Sequence, residues 1–300
     1  MVVLGIDPGT ANTGYGVVAR DGARLVALDG GTIESPAGRD AGERLALIHA
    51  RVGELLDSYG PDALAVEDLY FGANARSAFA VGQARGVVIL AAGQRRLPCC
   101  SRWSSARSGS WPSPDRRCRA DAREGVRAGA QNPARMVVLG IDPGTANTGY
   151  GVVARDGARL VALDGGTIET RAGRDTGERL ALIHARVGEL LDSYGPEALA
   201  IEDLYFGANA RSAFAVGQAR GVVILAAGER GLPCSSYTPQ QVKAAVCGSG
   251  TAQKEQVQRM VQRLLALAEL PSPDHAADAL AVAICHANGA AFRAAVDSAA

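Results

Sequence analysis

Four residues far apart in the chain have the types and settings that metal-assisted phosphodiester chemistry uses: Asp142, Glu202, His275 and Asp278. Asp142 closes a short apolar run, Val137–Asp142, just before Pro143-Gly144. Glu202 closes another, Ala198–Glu202, with Asp203 beside it. In open α/β sheets functional groups collect at such strand ends, where the chain leaves the core. His275 and Asp278 are three apart, so on a helix they share a face. Carboxylates brought together repel, and a bound divalent cation is the ordinary way to hold them. Oxygen ligands suit Mg²⁺ or Mn²⁺, and an imidazole tilts the set slightly toward Mn²⁺. Two such ions roughly 3.5–4 Å apart would clamp a scissile phosphate for in-line attack by water. Plainer readings stand beside this one. Asp142 can be a turn former, Glu202 or Asp203 a solvated loop carboxylate, and His275 a helix-end residue with no role. Asp278, set among Ala276, Ala277, Ala279 and Leu280, is harder to dismiss, because a carboxylate in apolar surroundings needs a partner.

The elements that must position these residues can be read from residue 136 onward. Val137–Asp142 is an apolar run ended by a turn, hence a buried strand. Gly149–Arg155 and Arg159–Ile168 are two more strands, joined by a hairpin at Asp156-Gly157. Asp175–Tyr194 places Leu180, Ile183, His184, Val187, Leu190 and Leu191 at helical spacing and stops near Gly195-Pro196. Ala198–Glu202 is a fourth strand, followed by a loop and a helix of small residues from Ala210 to Glu229; Pro233–Tyr237 is a fifth strand. Thr238-Pro239-Gln240-Gln241 has the order of N-cap, N1 proline and N3 glutamine. Gly248-Ser249-Gly250 breaks that helix, Ala252–Leu267 starts another, and Ser272-Pro273 opens the last. Three strands followed by alternating helices and strands predict an α/β fold, a mixed sheet with helices on its faces.

The chain says all this nearly twice. Residues 1–99 recur at 136–234 with seven differences, among them Val66 against Ile201 and Asp62 against Glu197. A repeat this long is no solenoid period, which runs at roughly 20–50 residues. It is a duplicated domain whose first copy is cut short. The organisation is therefore a truncated copy at 1–99, an Arg/Ser/Pro-rich divergent linker at 100–135 expected to be disordered, and a complete module at 136–300. The first copy has Asp7 and Glu67 but no counterpart of Lys243, Lys254, His275 or Asp278. Pro112-Ser113-Pro114-Asp115 in the linker matches Pro271-Ser272-Pro273-Asp274, yet arginines 116 and 119 stand where His275 and Asp278 would be.

The formal charge of zero hides an uneven distribution. Residues 1–93 carry 7 basic and 11 acidic residues, 94–135 carry 10 and 3, and 136–300 carry 14 and 17. Net-acidic modules argue weakly against nucleic-acid binding, although a carboxylate-built active site itself depresses the count. The six cysteines form no CxxC pair, so a zinc ribbon is not indicated, and reduced thiols are expected. No run approaches the roughly 18 apolar residues of a membrane span. The start is a core strand rather than a signal peptide. The expectation is a cytoplasmic protein without a membrane partner.

The segments Leu139-Gly-Ile-Asp142-Pro-Gly, Thr148-Gly-Tyr-Gly151, Ala200-Ile-Glu202, Gly217-Gln-Ala-Arg220-Gly221, Gln241-Val-Lys243 and His275-Ala-Ala-Asp278-Ala-Leu resemble the RuvC family of Holliday junction resolvases. The resemblance covers essentially all of 136–300, in order. It implies an RNase H-like fold, with a five-stranded mixed sheet, and a homodimer that nicks opposing strands of four-way junction DNA symmetrically. It also implies Mg²⁺ or Mn²⁺ as cofactor and a branch-migration motor complex as partner. Carried over by residue, it makes Asp142, Glu202, His275 and Asp278 the catalytic, metal-binding set. Lys243 and Lys254 would lie near the cleaved DNA. Tyr205 and Phe206 fall where the family stacks an aromatic on unpaired bases, and loop packing onto the core is the alternative for them. The helix bearing Ala213, Gly217 and Gly221 would form the dimer contact.

Rival readings stand beside this one. Asp142-Pro-Gly-Thr145 and Asp164-Gly-Gly-Thr167 have the look of the two phosphate loops of actin-like and sugar-kinase ATPases. They lie inside one three-strand meander, however, whereas those ATPases place the second loop in another subdomain. Gly149-Tyr-Gly151 lacks the third glycine and the helix of a dinucleotide fingerprint. A non-enzymatic alternative is an intramolecular pseudo-dimer in which the first copy occupies the partner's surface, giving an impaired junction binder.

Overall fold

Alternating residues in the repeated strands divide between two faces, and that division organises the molecule. A computed structural model describes residues 1–36, 38–67, 75–100, 135–171, 173–203 and 210–299. The first copy runs β1 (Val2–Asp7), β2 (Asn12–Asp21), β3 (Arg24–Glu34), α1 (Ala41–Tyr59), β4 (Ala63–Val66), α2 (Ala75–Gln94) and β5 (Cys99–Cys100). The second runs β6 (Arg135–Asp142), β7 (Asn147–Asp156), β8 (Arg159–Glu169), α3 (Thr176–Tyr194), β9 (Ala198–Glu202), α4 (Ala210–Gly228) and β10 (Cys234–Tyr237). It continues through α5 (Pro239–Cys247), α6 (Lys254–Leu264) and α7 (Asp274–Ala299). Each copy forms a five-stranded mixed sheet, ordered β3-β2-β1-β4-β5 and β10-β9-β6-β7-β8. The first three strands are antiparallel and the remaining pairings parallel. This is the RNase H-like arrangement expected. The first copy keeps a two-residue fifth strand: Cys99 and Cys100 pair with Leu64 and Ala65 before the sequences diverge.

Local signals set the element ends. Asp175 caps α3 by accepting from the Gly177 N–H, and Gly195 ends it in the left-handed region at φ 52°. Thr238 and Gln241 form the capping box at the start of α5. Helix α6 begins two residues after the expected start, and α7 begins at Asp274, immediately after Pro273.

One set of strand residues, Leu4 and Val17 in the first copy and Leu139, Ile141 and Val152 in the second, lies in a core shared by both copies. Helices α1 to α4 fill the space between the sheets with Leu45, Ile48, Leu90, Leu180, Ile183 and Leu225. The alternate set of the second sheet, Val138, Val153 and Leu160, packs instead against Leu280, Val282 and Ile284 of α7, with Val242, Val257 and Val261 behind.

Helices α2 and α4 meet at the centre of the shared core through glycines. A Cβ added at Gly86 would lie 2.8 Å from the Gln218 Cα, and one at Gly221 would lie 2.7 Å from that of Gln83. The pairing is reciprocal, as a two-fold relation between like helices requires. The guanidinium of Arg85 sits 5.6 Å over the Phe214 ring and that of Arg220 5.6 Å over Phe79. Farther along, His49 of α1 and His184 of α3 stack at 6.5 Å, and Glu229 accepts from or pairs with both.

Candidate active site

Asp142 is the last residue of β6 and Glu202 the last of β9, and these strands are parallel neighbours with Ile141 beside Ile201. Adjacent strand ends bring the two carboxylates to the same edge of the sheet. The loop after Asp142 is held by Thr148, fully buried, whose hydroxyl donates to the Gly144 carbonyl at 2.6 Å. Helix α7 crosses this edge with its first turns. Its approach is so close that a Cβ at Gly149 would overlap the His275 carbonyl, and one at Gly151 would lie 2.7 Å from the Leu280 nitrogen. Glycine at those positions is what lets the helix backbone reach the strands.

The resulting contacts join the ends of the module. His275 Nδ1 lies 2.8 Å from Asp142 Oδ2. Lys254, at the start of α6, places its ammonium 3.4 Å from Asp278 and 3.1 Å from Asp274. Asp274 also accepts from Gln258 at 2.9 Å, so this previously unassigned carboxylate serves to hold α6 against α7. Burial, and then the like charges of Asp142 and Asp278, push the Glu202 carboxyl up to about 8, against the opposing pull of Lys254 and Lys243. Asp278 is also raised, chiefly by burial and then by Asp142, with Lys254 and His275 opposing. Asp142, Glu202, His275 and Asp278 therefore converge, with Lys243 and Lys254 as the neighbouring cations. Tyr205 and Phe206 lie outside the described residues.

A further residue stands behind the site. Arg220 on α4 is only 4% exposed. It donates to the main-chain carbonyl of Glu202 at 2.8 Å and pairs with Asp203 at 3.1 Å. It bonds the Ser236 hydroxyl of β10 as well, so it ties the end of β9 to its neighbour. The signal for it in the sequence is an arginine flanked by the small and apolar residues Ala219, Gly221 and Val222.

The donor chemistry of this cluster, three carboxylates and an imidazole with mutual charge repulsion, fits a hard divalent cation. Among the described residues, no three His, Cys, Asp or Glu side chains are gathered at metal-binding distances. Asp142 is engaged by His275, and Asp278 by Lys254. No helix among the described residues is long and apolar enough to cross a membrane.

Comparison with known proteins is consistent over both copies. The family model described as "Crossover junction endodeoxyribonuclease RuvC" matches residues 3–105 and 138–286. A protein of that name from Moorella thermoacetica is 55% identical over 158 residues, covering 53% of this chain and 95% of the relative. Another from Pelotomaculum thermopropionicum is 51% identical over 153 residues, covering 51% and 93%. Among solved structures, Thermus thermophilus RuvC in complex with a Holliday junction substrate matches with a TM-score of 0.50 and 47% identity. That match covers 52% of this chain and 94% of the solved one.

Proposed function

The chain belongs to the RuvC family of crossover junction endodeoxyribonucleases, and we propose from that membership that residues 136–300 cleave four-way DNA junctions by metal-assisted phosphodiester hydrolysis. The observation that supports this most directly is the Asp142–His275 contact, which joins the first strand of the module to its last helix beside Glu202 and Asp278. Asp142, Glu202, His275 and Asp278 would hold Mg²⁺ or Mn²⁺. The bound metal would supply charge neutralisation at the scissile phosphate and a lowered pKa for the attacking water. Burial and the neighbouring carboxylates push the Glu202 carboxyl up to about 8, so it would have to give up a proton to serve as a metal ligand at neutral pH. Lys254, already beside Asp278, would offer positive charge to a DNA backbone at the site, and Lys243 would add a second. Arg220 positions Glu202 through its main chain rather than through its carboxylate.

The packing of α2 on α4 supports a reading of the number of nicks. The small-residue face of α4, which a second subunit would otherwise meet, is occupied by the first copy of the same chain. Asp7 and Glu67 have no α7 beside them, so an intramolecular pseudo-dimer has one complete site. Such a unit cuts one strand of a junction, in place of the paired symmetric nicks that two complete sites deliver.

The test uses a plasmid with an extruded cruciform, incubated with Mn²⁺ or Mg²⁺ and the full chain at a concentration where it is monomeric. Nicked circles as the dominant product, lost in Asp142→Asn, are the expected result. Linear product formed in a single binding event would show two working sites and refute the single-site reading. Junction binding without any cleavage by the native chain would leave a junction-binding relic.

A further inference from the structure

The strands β1 to β3 and β6 to β8 are identical in sequence from Val2–Glu34 to Val137–Glu169, yet among the described residues only one of the two sheets is covered on both faces. In the second copy α7 lies on the outer face: Val138 and Val153 are fully buried and Leu160 is 8% exposed. The matching residues of the first copy are Val3 and Val18, both partly exposed, and Leu25, which is 69% exposed, with Leu28 nearby at 47%. The glycines give the same contrast in sharper form. At Gly140, Gly149 and Gly151 an added Cβ would run into the α7 backbone. At Gly16 it would meet nothing within 4 Å, and at Gly5 and Gly14 only the sheet's own atoms at 3.7 and 3.6 Å. The first sheet therefore retains every residue of a helix seat, including the glycine relief that admits a backbone, and among the described residues no helix lies in it.

We propose that this bare face is an acceptor for helix α7 of a second copy of this chain, released from that copy's own seat, and that its docking sets His275 and Asp278 beside Asp7 and Glu67 to assemble an active site there in exchange for the donor copy's own. The occupant is specified by the chain itself, because the identical strands in the second copy show which helix fits and in what register. In that register Gly14 takes the place of Gly149 under the His275 carbonyl, and Gly16 that of Gly151 under Leu280. Asp7, the counterpart of Asp142, then stands opposite the incoming imidazole. A flat apolar sheet surface with this relief is otherwise an exposed patch of the kind that marks interaction sites. The docking half of the proposal is independent of the function proposed above; the completed-site half rests on it.

The experiment uses a fluorescent peptide of residues 252–290, which carries Lys254, His275 and Asp278, titrated into the full chain. One equivalent is expected to bind. Gly16→Val, whose new side chain sits in open space in the free chain, is expected to weaken binding at least about 100-fold through overlap with the helix backbone. Its unfolding midpoint should not fall. Absence of saturable binding, or binding indifferent to Gly16→Val, overturns the proposal. Concentration-dependent self-association that the peptide does not displace also overturns it, by making another sheet the occupant. In a second arm the peptide is added to the Asp142→Asn chain with junction DNA and Mn²⁺. Nicking should return, and should vanish again in the Asp7→Asn/Asp142→Asn chain. Peptide binding without restored nicking, while the native chain nicks, rejects the completed site. Failure of the native chain to nick rejects the function itself and leaves the binding result standing.

Discussion

The same glycine-to-valine change made at equivalent places in the two copies should have opposite consequences on the sheets and equal ones on the helices. At Gly151 a Cβ would lie 2.7 Å from the Leu280 nitrogen and 2.8 Å from its Cα, below any real packing distance. The helix must lift, which opens the contacts among Val138, Val153, Leu160 and Leu280. Overpacking of this kind costs about 3 kcal/mol. At Gly16 the new side chain is unobstructed, and valine in place of strand glycine stabilises by about 0.5–1 kcal/mol. The gap between the two variants is therefore roughly 3–4 kcal/mol, within a stretch where the two copies have the same sequence. In urea, with a slope near the upper end of about 1–3 kcal/mol per molar, that separates the unfolding midpoints by about 1 M or more. Gly86→Val and Gly221→Val, by contrast, strike reciprocal positions on α2 and α4. They should destabilise by amounts equal to within about 0.5 kcal/mol. Urea melts followed by circular dichroism decide both halves. Equal costs at Gly16 and Gly151 would refute the claim that only one sheet is covered. Clearly unequal costs at Gly86 and Gly221 would refute the reciprocal helix packing.

Other consequences follow from the site and from the junction of the copies. Burial and like charge hold Glu202 at about 8, so between its ordinary 4.5 and that value the folded chain keeps a proton that the unfolded chain has released. Stability without metal should fall as pH rises through this window, and Glu202→Gln should be more stable than the native chain by roughly 2–4 kcal/mol at pH 9 in EDTA. A native chain as stable at pH 9 as at pH 6 would contradict it. His49 is held below its ordinary 6.5 chiefly by burial, against Gln94 and Glu229. Below that pH the unfolded chain takes up a proton that the folded one resists, so stability should drop on acidification from pH 6.5, and less steeply in His49→Gln. Thermal melts across pH 5–8 read this directly. Lys254→Met removes the charge beside Asp278 and should slow single-turnover nicking about 10–100-fold. Unchanged nicking would remove Lys254 from the site.

Much of this was legible before any coordinates, for reasons that lie in particular residues. Pro143-Gly144, Asp156-Gly157 and Gly195-Pro196 punctuate the chain strongly enough to delimit strands and helices on their own. The Thr238–Gln241 capping box was visible as a four-residue word and is present as such. Asp142, Glu202, His275 and Asp278 could be singled out because each sits at an element end or among alanines. The role of Asp274 was not legible, because its partners Lys254 and Gln258 come from another helix and nothing local announces them. Nor was the anchoring of Glu202 by Arg220, which requires knowing that α4 crosses behind β9 and β10. The two-residue β5 was missed because strand pairing there is decided by the neighbouring β4, with no alternation in Cys99-Cys100 to reveal it.

The duplicated strands also bear on how the chain reaches its structure. By the time α7 is synthesised, two seats of identical sequence already exist, one built from residues 2–34 and one from 137–169. Side-chain chemistry cannot tell them apart. What selects the second is connectivity: β10 pairs with β9, and α5 and α6 then lead α7 onto the adjoining strands. The folding landscape therefore contains a decoy of nearly native quality for its final helix. Refolding from denaturant should show a slow phase that disappears when Gly16→Val closes the decoy, and synthesis from the N-terminus cannot avoid the choice, because the wrong seat is always finished first.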